Sequence, residues 1–199
     1  AFVNMLNAYN KRHLLLAPTG RAAKVLSGFT NETAMTIHRG LMYMPPTDWG
    51  FNEENKLLYD VVIVDEFSMV DIFLFRKLLE AIDFEKTKLL LIGDDAQIPS
   101  VGAGNVLYDL LKCEDIPTIT LDKVFRYGKG GLSTVATDTR TGTEYLDKTK
   151  TGMQVFGEDQ SYIFMPILQD KLVEYTVKLY QTLLSKGYSV DDIAVLSCY

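Results

Sequence analysis

Two adjacent carboxylates, Asp65 and Glu66, follow four apolar residues in the segment VVIVDEFSMVD at residues 61–71. The apolar run reads as a buried strand, and open α/β sheets bind ligands beyond the carboxyl ends of their strands. One carboxylate there can reach a magnesium ion while its neighbour polarises a water attacking a γ-phosphate. The same pair also suits a strand simply re-entering solvent, so the residue types alone leave both readings open. A second run, KLLLIGDDAQIPSVGAGNVL at residues 88–107, ends in Gly93-Asp94 and carries Gln97 shortly after. An uncharged amide at that place suits sensing of a phosphate or of the attacking water. Gly, Asp, Pro and Ser are equally good turn formers.

Two further segments carry polar groups next to strand-like runs. LLLAPTGRAAKVL, residues 14–26, leads from an apolar run into Pro18-Thr19-Gly20 and then a helical pattern. Exposed N–H groups, the helix dipole and the Thr19 hydroxyl can hold a phosphate; an ordinary helix cap is the plainer role for Thr19. TIHRGL at 36–41 adds His38, a lone histidine of the kind that is more often structural. In ITLDKVFRYG, residues 119–128, Arg126 follows another apolar run. An arginine supplied across a cleft can stabilise a transferring phosphoryl group, worth about 10³–10⁵ in rate, although a surface ion pair is its simpler use. The phosphate-cradling pattern GxxxxGK[ST] occurs nowhere in residues 1–199.

Positioning such groups requires strands in register. The runs at 13–17, 61–64, 88–92, 118–121, 162–165 and 193–196 are short and almost continuously apolar, as strands buried on both faces of a parallel sheet are. Between them, Ile72, Phe75, Leu78, Leu79 and Ile82 recur at helical spacing, as do Leu168, Leu172, Tyr175, Leu179 and Leu183. This alternation predicts an α/β fold, a parallel sheet with flanking helices. Residues 42–58, with Pro45-Pro46, Gly50 and several aromatic rings, read as a hairpin-like excursion. Residues 141–161 read as an irregular connection, and a domain junction is expected near 120–130.

Composition narrows the class. A chain of 199 residues that is 47% hydrophobic and 23% charged is globular and holds one domain, or one and part of another. No apolar run approaches the roughly 18 residues of a membrane span, and residues 1–13 lack a signal-peptide layout. Cys113 and Cys198 form no CxxC, so neither a disulfide framework nor a zinc site is indicated. These features lead us to expect a cytoplasmic protein without a membrane partner. The net charge of −6 argues weakly against nucleic acid, but its distribution matters more. Residues 1–60 carry six basic against five acidic side chains, 61–120 five against eleven, and 121–199 nine against ten. The acidic excess thus coincides with the carboxylates that a magnesium–nucleotide site needs.

In this order and spacing, LLLAPTGRAAKVLS, TIHRGL, VIVDEFSMVD and GDDAQIPSVGAGNVL resemble the successive motifs of superfamily 1 DNA helicases. The match is closest to the RecD-like type, the helicase subunit of exodeoxyribonuclease V. It spans about residues 10–130 and continues weakly to DDIAVLS at 191–197. The resemblance implies an ATP-driven motor of two RecA-like domains moving 5′ to 3′ on single-stranded DNA. Asp65 would hold Mg2+, Glu66 would activate water, Gln97 would couple phosphate state to domain closure, and Arg126 would reach the γ-phosphate of ATP. Pro18, Thr19 and His38 would lie along the DNA path, with Ser100, Gly102 and Gly104 near it. The excursion 42–58 would be the strand-separating pin, with Trp49 or Phe51 at its tip against a base at the duplex junction; packing within the hairpin is the alternative for those rings. Nuclease-complex subunits are further implied partners. Where the family has Phe-Arg-Gln or Tyr-Arg-Gln, this chain has Phe125-Arg126-Tyr127.

The resemblance divides the chain into a first motor domain at 1–122, lacking its phosphate loop, and the beginning of a second at 123–199. A non-catalytic module that kept DNA contacts but lost nucleotide chemistry is the alternative reading. Residues 1–199 by themselves are expected not to turn over ATP at a meaningful rate. Robust DNA-stimulated phosphate release by this segment would overturn that expectation.

Overall fold

The runs His13–Ala17, Val61–Val64 and Lys88–Leu91 are too short to bury a helix face, and their side chains pair across a ladder instead. The computed structural model describes residues 1–121 and 130–197, in two compact units, Ala1–Thr120 and Leu121–Tyr199. The expected boundary at 122/123 lies outside the described residues.

In the first unit, α1 (Phe2–Ala8), β1 (His13–Ala17), α2 (Gly20–Thr30), β2 (Ala34–Thr36) and α3 (Ile37–Gly40) come first. A small ribbon of β3 (Tyr43–Met44) and β4 (Asp48–Trp49) follows, then β5 (Val61–Val64), α4 (Ile72–Glu80), β6 (Lys88–Leu91) and α5 (Val106–Leu111). Four strands make one parallel sheet in the order β2-β1-β5-β6. With helices on both faces, this is the expected α/β, RecA-like arrangement.

Strand alternation sorts the core into two layers. Leu14, Leu16, Val62 and Val64 face one side, where Ile37, Leu41, Phe67, Phe75, Leu78 and Leu107 cover them. Leu15 and Ile63 face the other, covered by Val3 and Leu6 of α1 and by Leu26. The short helix α3 lies so close to β1 that a Cβ on Gly40 would come within 2.4 Å of Leu16 Cδ2. The predicted apolar face of α4 is present through Phe75 and Leu78, whereas Ile72 at its start is 45% exposed.

Three expectations need correction. Residues 118–121 form no strand, and Ile119 and Leu121 are each 89% exposed. Residues 193–196 form none either. In the second unit, Tyr162–Phe164 (β8) pairs antiparallel with Gln154–Phe156 (β7) rather than joining a parallel sheet. A short apolar run has no strand character of its own; it needs a neighbour's free ladder edge. Conversely, β2 pairs with β1 although Ala-Met-Thr gives little strand signal.

The remaining second-unit helices are α6 (Gly131–Thr141) and α7 (Leu172–Ser185). The backbone of Gly131 abuts the carbonyl of Phe156, and its N–H donates to Asp159 Oδ1 at 2.9 Å. Tyr145, Phe156 and Tyr162 stack edge to face. Buried Gln154 exchanges two hydrogen bonds with the backbone of Asp147. The apolar periodicity of α7 forms a helix, but none of its residues is buried, and Leu168 precedes it.

One polar contact ties the first unit's amino-terminal elements together. Glu32, just after α2, accepts from Asn7 Nδ2 of α1 and faces His13 Nε2 of β1 at 2.6 Å. The Asn7 hydrogen bond first, and the His13 contact second, hold the Glu32 carboxyl below its ordinary value of 4.5. A depressed folded-state carboxylate contributes stability above its unfolded pKa and loses it as pH falls through the folded value. Thermal unfolding followed between neutral pH and acid should therefore lose stability below about pH 4.5 in the wild type. Glu32→Gln should flatten that fall; equal acid sensitivity in both proteins would remove Glu32 from it.

Candidate functional site

Register places the chemistry. Leu16 pairs with Val64 and Val64 with Leu91, while Ala17 pairs with Thr36. All four strands run the same way, so the segments following these rungs emerge at one edge of the sheet. They are Pro18-Thr19, Ile37-His38, Asp65-Glu66 and Ile92–Gln97.

At the centre of this edge, Asp65 and Glu66 are half-buried. The Asp65 N–H donates to the Leu16 carbonyl at 2.9 Å, extending the β1–β5 ladder by one rung. Asp65 Oδ1 accepts the Glu66 N–H at 3.0 Å, which fixes the carboxylate and leaves Oδ2 for a ligand. Glu66 itself is left-handed, at φ 53° and ψ 39°, uncommon for a residue other than glycine. It opens a single 3-10 turn, Phe67–Met69, in which Phe67 is fully buried.

The next strand end is bolted to this turn. The Phe67 N–H donates to the Ile92 carbonyl and the Ile92 N–H to the Val64 carbonyl, each at 2.8 Å. Gly93 must lack a side chain: a Cβ would lie 2.8 Å from Leu107 Cδ2 and 3.1 Å from the backbone nitrogen of Ser68. Beyond it, Asp94 organises its own turn, accepting the Ala96 N–H at Oδ1 and the Gln97 N–H at its carbonyl. Gln97 is exposed at the rim.

Thr19 caps α2: its Oγ1 accepts the Ala22 N–H at 3.2 Å. A hydroxyl used as acceptor still has its proton to donate to an anion, so the cap and a phosphate contact are compatible. Pro18 beside it is half-buried. His38 is exposed on α3, its ring 5.5 Å from those of both Tyr43 and Trp49.

The excursion at 42–58 is a hairpin only at its start, where Tyr43 pairs with Trp49 and Met44 with Asp48. Its tip is Pro45–Thr47, not Trp49 or Phe51. Those two rings are half-buried and pack against the core, Trp49 also lying 4.6 Å from Tyr43. The reason is that Phe51 donates its N–H to Leu41 and Gly50 its N–H to Met42, which draws this stretch back onto α3. Between the hairpin and α4 lies an open cleft of about 340 Å³, lined by His38, Trp49, Asp71, Phe73, Leu74, Arg76 and Lys77. Lys77 and Arg76 there both bind Glu80, at 2.6 and 2.7 Å, and in that order they hold its carboxyl below the ordinary range.

Ser100, Gly102 and Gly104 sit in a loop docked on the start of α4. Asp71, the α4 cap, touches this loop, a role that its place just before an apolar helical run would have signalled. Arg126 lies outside the described residues. Among the described residues no group of three or more His, Cys, Asp or Glu could hold a metal. A magnesium ion held by one carboxylate plus substrate phosphates and water does not need such a group, and Asp65 fits that requirement. No helix among the described residues is long and apolar enough to cross a membrane.

Residues 1–103 match the AAA domain family. The chain is 42% identical over 112 residues to the ATP-dependent RecD2 DNA helicase of Deinococcus radiodurans, covering 56% of this chain and 15% of that protein. It is 39% identical over 119 residues to the RecBCD enzyme subunit RecD of Mycolicibacterium smegmatis, covering 51% and 21% respectively. For the RecBCD enzyme subunit RecD of Haemophilus influenzae the figures are 38% over 123 residues, 50% and 19%. The chain thus spans about a fifth or less of the length of these relatives. With four motif-bearing segments at one edge of a RecA-like sheet, the chain belongs to the AAA domain family and is RecD-like within it.

Proposed function

We propose that this chain is the nucleotide-hydrolysing and DNA-tracking part of an ATP-dependent helicase moving 5′ to 3′ on single-stranded DNA. The observation that carries the reading is the convergence of Thr19, His38, Asp65-Glu66 and Gln97 on one sheet edge. Its likeness to an ATP-dependent RecD2 DNA helicase and to RecD subunits of RecBCD enzymes supports it. The polarity rests on the family resemblance alone, as does assembly with nuclease-complex subunits. The same resemblance underlies reading 1–122 and 123–199 as parts of two motor domains.

Asp65 would hold Mg2+, which would supply positive charge to offset that of the ATP phosphates. Glu66 takes the proton of the attacking water as general base. Its carboxylate has no hydrogen-bond partner among the described residues, and its half-buried place at the strand end gives it access to that water. Gln97, on the exposed turn that Asp94 organises, hydrogen-bonds the γ-phosphate or the water and reports its presence. Arg126 is assigned to the γ-phosphate from the resemblance. For DNA, Thr19 donates its hydroxyl proton to a backbone phosphate, Pro18 and His38 flank it, and Ser100, Gly102 and Gly104 present a side-chain-poor loop that a strand can approach closely. Trp49 and Phe51 shape the wall of the hairpin rather than its tip.

In the full-length protein, Glu66→Gln should retain ATP binding, read with a fluorescent non-hydrolysable analogue. Phosphate release should fall about 10²–10⁴-fold, the usual contribution of a general base. Unchanged release would take Glu66 out of the mechanism. Affinity for an oligothymidylate should weaken steeply with salt, log K falling by about 0.7 per phosphate contact for each decade. A flat titration would exclude the phosphate track.

A further inference from the structure

The loop holding Ser100, Gly102 and Gly104 is docked on the segment that begins at Glu66. Ser100 Oγ donates to the carbonyls of Gly102 and Gly104, at 3.0 and 3.1 Å, which closes the loop on itself. The Ile72 N–H then donates to the Ala103 carbonyl at 3.0 Å. Asp71 lies directly beneath: a Cβ on Gly102 would fall 2.3 Å from Asp71 Oδ2. Gly104, at φ +94°, passes so near Ile72 that a Cβ there would lie 3.2 Å from its Cβ. The other oxygen of Asp71, Oδ1, accepts the Leu74 N–H at 2.8 Å and starts α4. One carboxylate therefore touches the loop with one oxygen and anchors a core helix with the other.

From Asp71 back to Glu66 the chain has little slack. Val70 is 1% exposed, and its N–H donates to the Phe67 carbonyl at 3.0 Å. The Met69 N–H donates to the Glu66 carbonyl at 3.1 Å. Within this turn Ser68 is buried, and its Oγ has no hydrogen-bond partner among the described residues. The turn thus lies between the loop and the left-handed Glu66, joined to the loop by the Ile72–Ala103 hydrogen bond and to Glu66 by the Met69 N–H.

We propose that Asp71 is the positioning residue through which a DNA strand on the 100–104 loop sets the geometry of Glu66. This rests on the helicase reading above. A strand pressing on Gly102 moves Asp71, and the 3-10 turn carries that movement to the Glu66 carboxylate. Turnover is thereby tied to DNA occupancy without Asp71 touching either ligand.

The test uses the full-length protein, with and without oligothymidylate. Asp71→Ala should lower the ratio of DNA-stimulated to DNA-free phosphate release about tenfold, within the range of coupling mutations. DNA-free release and oligothymidylate affinity should stay within about twofold of the wild type. Asp71→Asn keeps a good helix cap and the contact with Gly102 and should retain most of the stimulation, which also guards against misfolding of the alanine variant. Amide exchange at Phe67, Met69 and Val70 should change when oligothymidylate binds the wild type in the absence of nucleotide, and should not change in Asp71→Ala. An unchanged stimulation ratio in Asp71→Ala overturns the proposal. So does a parallel loss of DNA affinity, which would make Asp71 a DNA contact, or a parallel loss of DNA-free turnover. A wild type that binds the oligonucleotide without any stimulation instead overturns the helicase reading, and this proposal with it.

Discussion

The Phe67 N–H donates to the Ile92 carbonyl one step beyond the last rung of the β5–β6 ladder, and the Asp65 N–H does the same to Leu16 on the β1 side. A central strand of a parallel sheet must satisfy its donors and acceptors on both edges. Here those obligations continue past the strand into the turn that carries the carboxylates. The chain cannot leave the sheet gradually. It breaks at Glu66, where a left-handed residue costs about 1–2 kcal/mol and the buried ring of Phe67 holds it in place. Such outliers cluster at functional sites because strained geometry pre-organises a side chain. The position of Glu66 is thus a consequence of how β5 ends.

The two-layered core makes that ending rigid. Val62 and Val64 pack on one face under α3, α4 and α5, and Ile63 packs on the other under α1. A displacement of β5 in either direction would open a cavity in one layer and overpack the other, and both cost stability. The compliant parts are therefore the loops at the sheet edge, where glycines at 93, 102 and 104 let neighbouring segments approach closely. Rigid strands with glycine-bearing loops at their ends suit a site whose loop contacts change while the sheet beneath stays fixed.

Much of this was legible in the amino-acid sequence because burial on both faces of a strand leaves an unmistakable run, as in Val61–Val64; Lys88–Leu91 carries the same signal although, at the sheet's edge, its leucines are only half-buried. The matching runs at 118–121 and 193–196 misled for the opposite reason. Whether such a run becomes a strand depends on a partner edge that local sequence does not describe, and β2 found such an edge with only Ala-Met-Thr. At the candidate site, the apolar runs put Asp65, Glu66 and Gln97 just past strand ends, where the fold has them, but could not say that Trp49 and Phe51 would fold inward. That outcome follows from the N–H groups of Gly50 and Phe51 pairing with residues 41–42. The cap at Asp71 was readable from its position before an apolar helix, whereas its contact with Gly102 joins residues that only the tertiary fold brings together.

The acidic middle of the chain has a narrower meaning than its total suggests. Asp71 caps α4, Glu80 binds Lys77 and Arg76, Asp83 binds Lys86, and Asp94 organises its own turn. Lys86 holds the Asp83 carboxyl below its ordinary range, as Lys77 and Arg76 do for Glu80. These charges serve the scaffold, and they do not gather into a metal-binding cluster among the described residues. Asp65 and Glu66, side by side at the end of the central strand, make no ion pair of this kind among the described residues and are the pair to which the proposed function gives the ion and the water. An ion held by so few protein oxygens takes the rest of its coordination from the phosphates it accompanies. On the proposed helicase reading such a site would depend on the nucleotide for its completion, which suits a motor that must bind and release at every step.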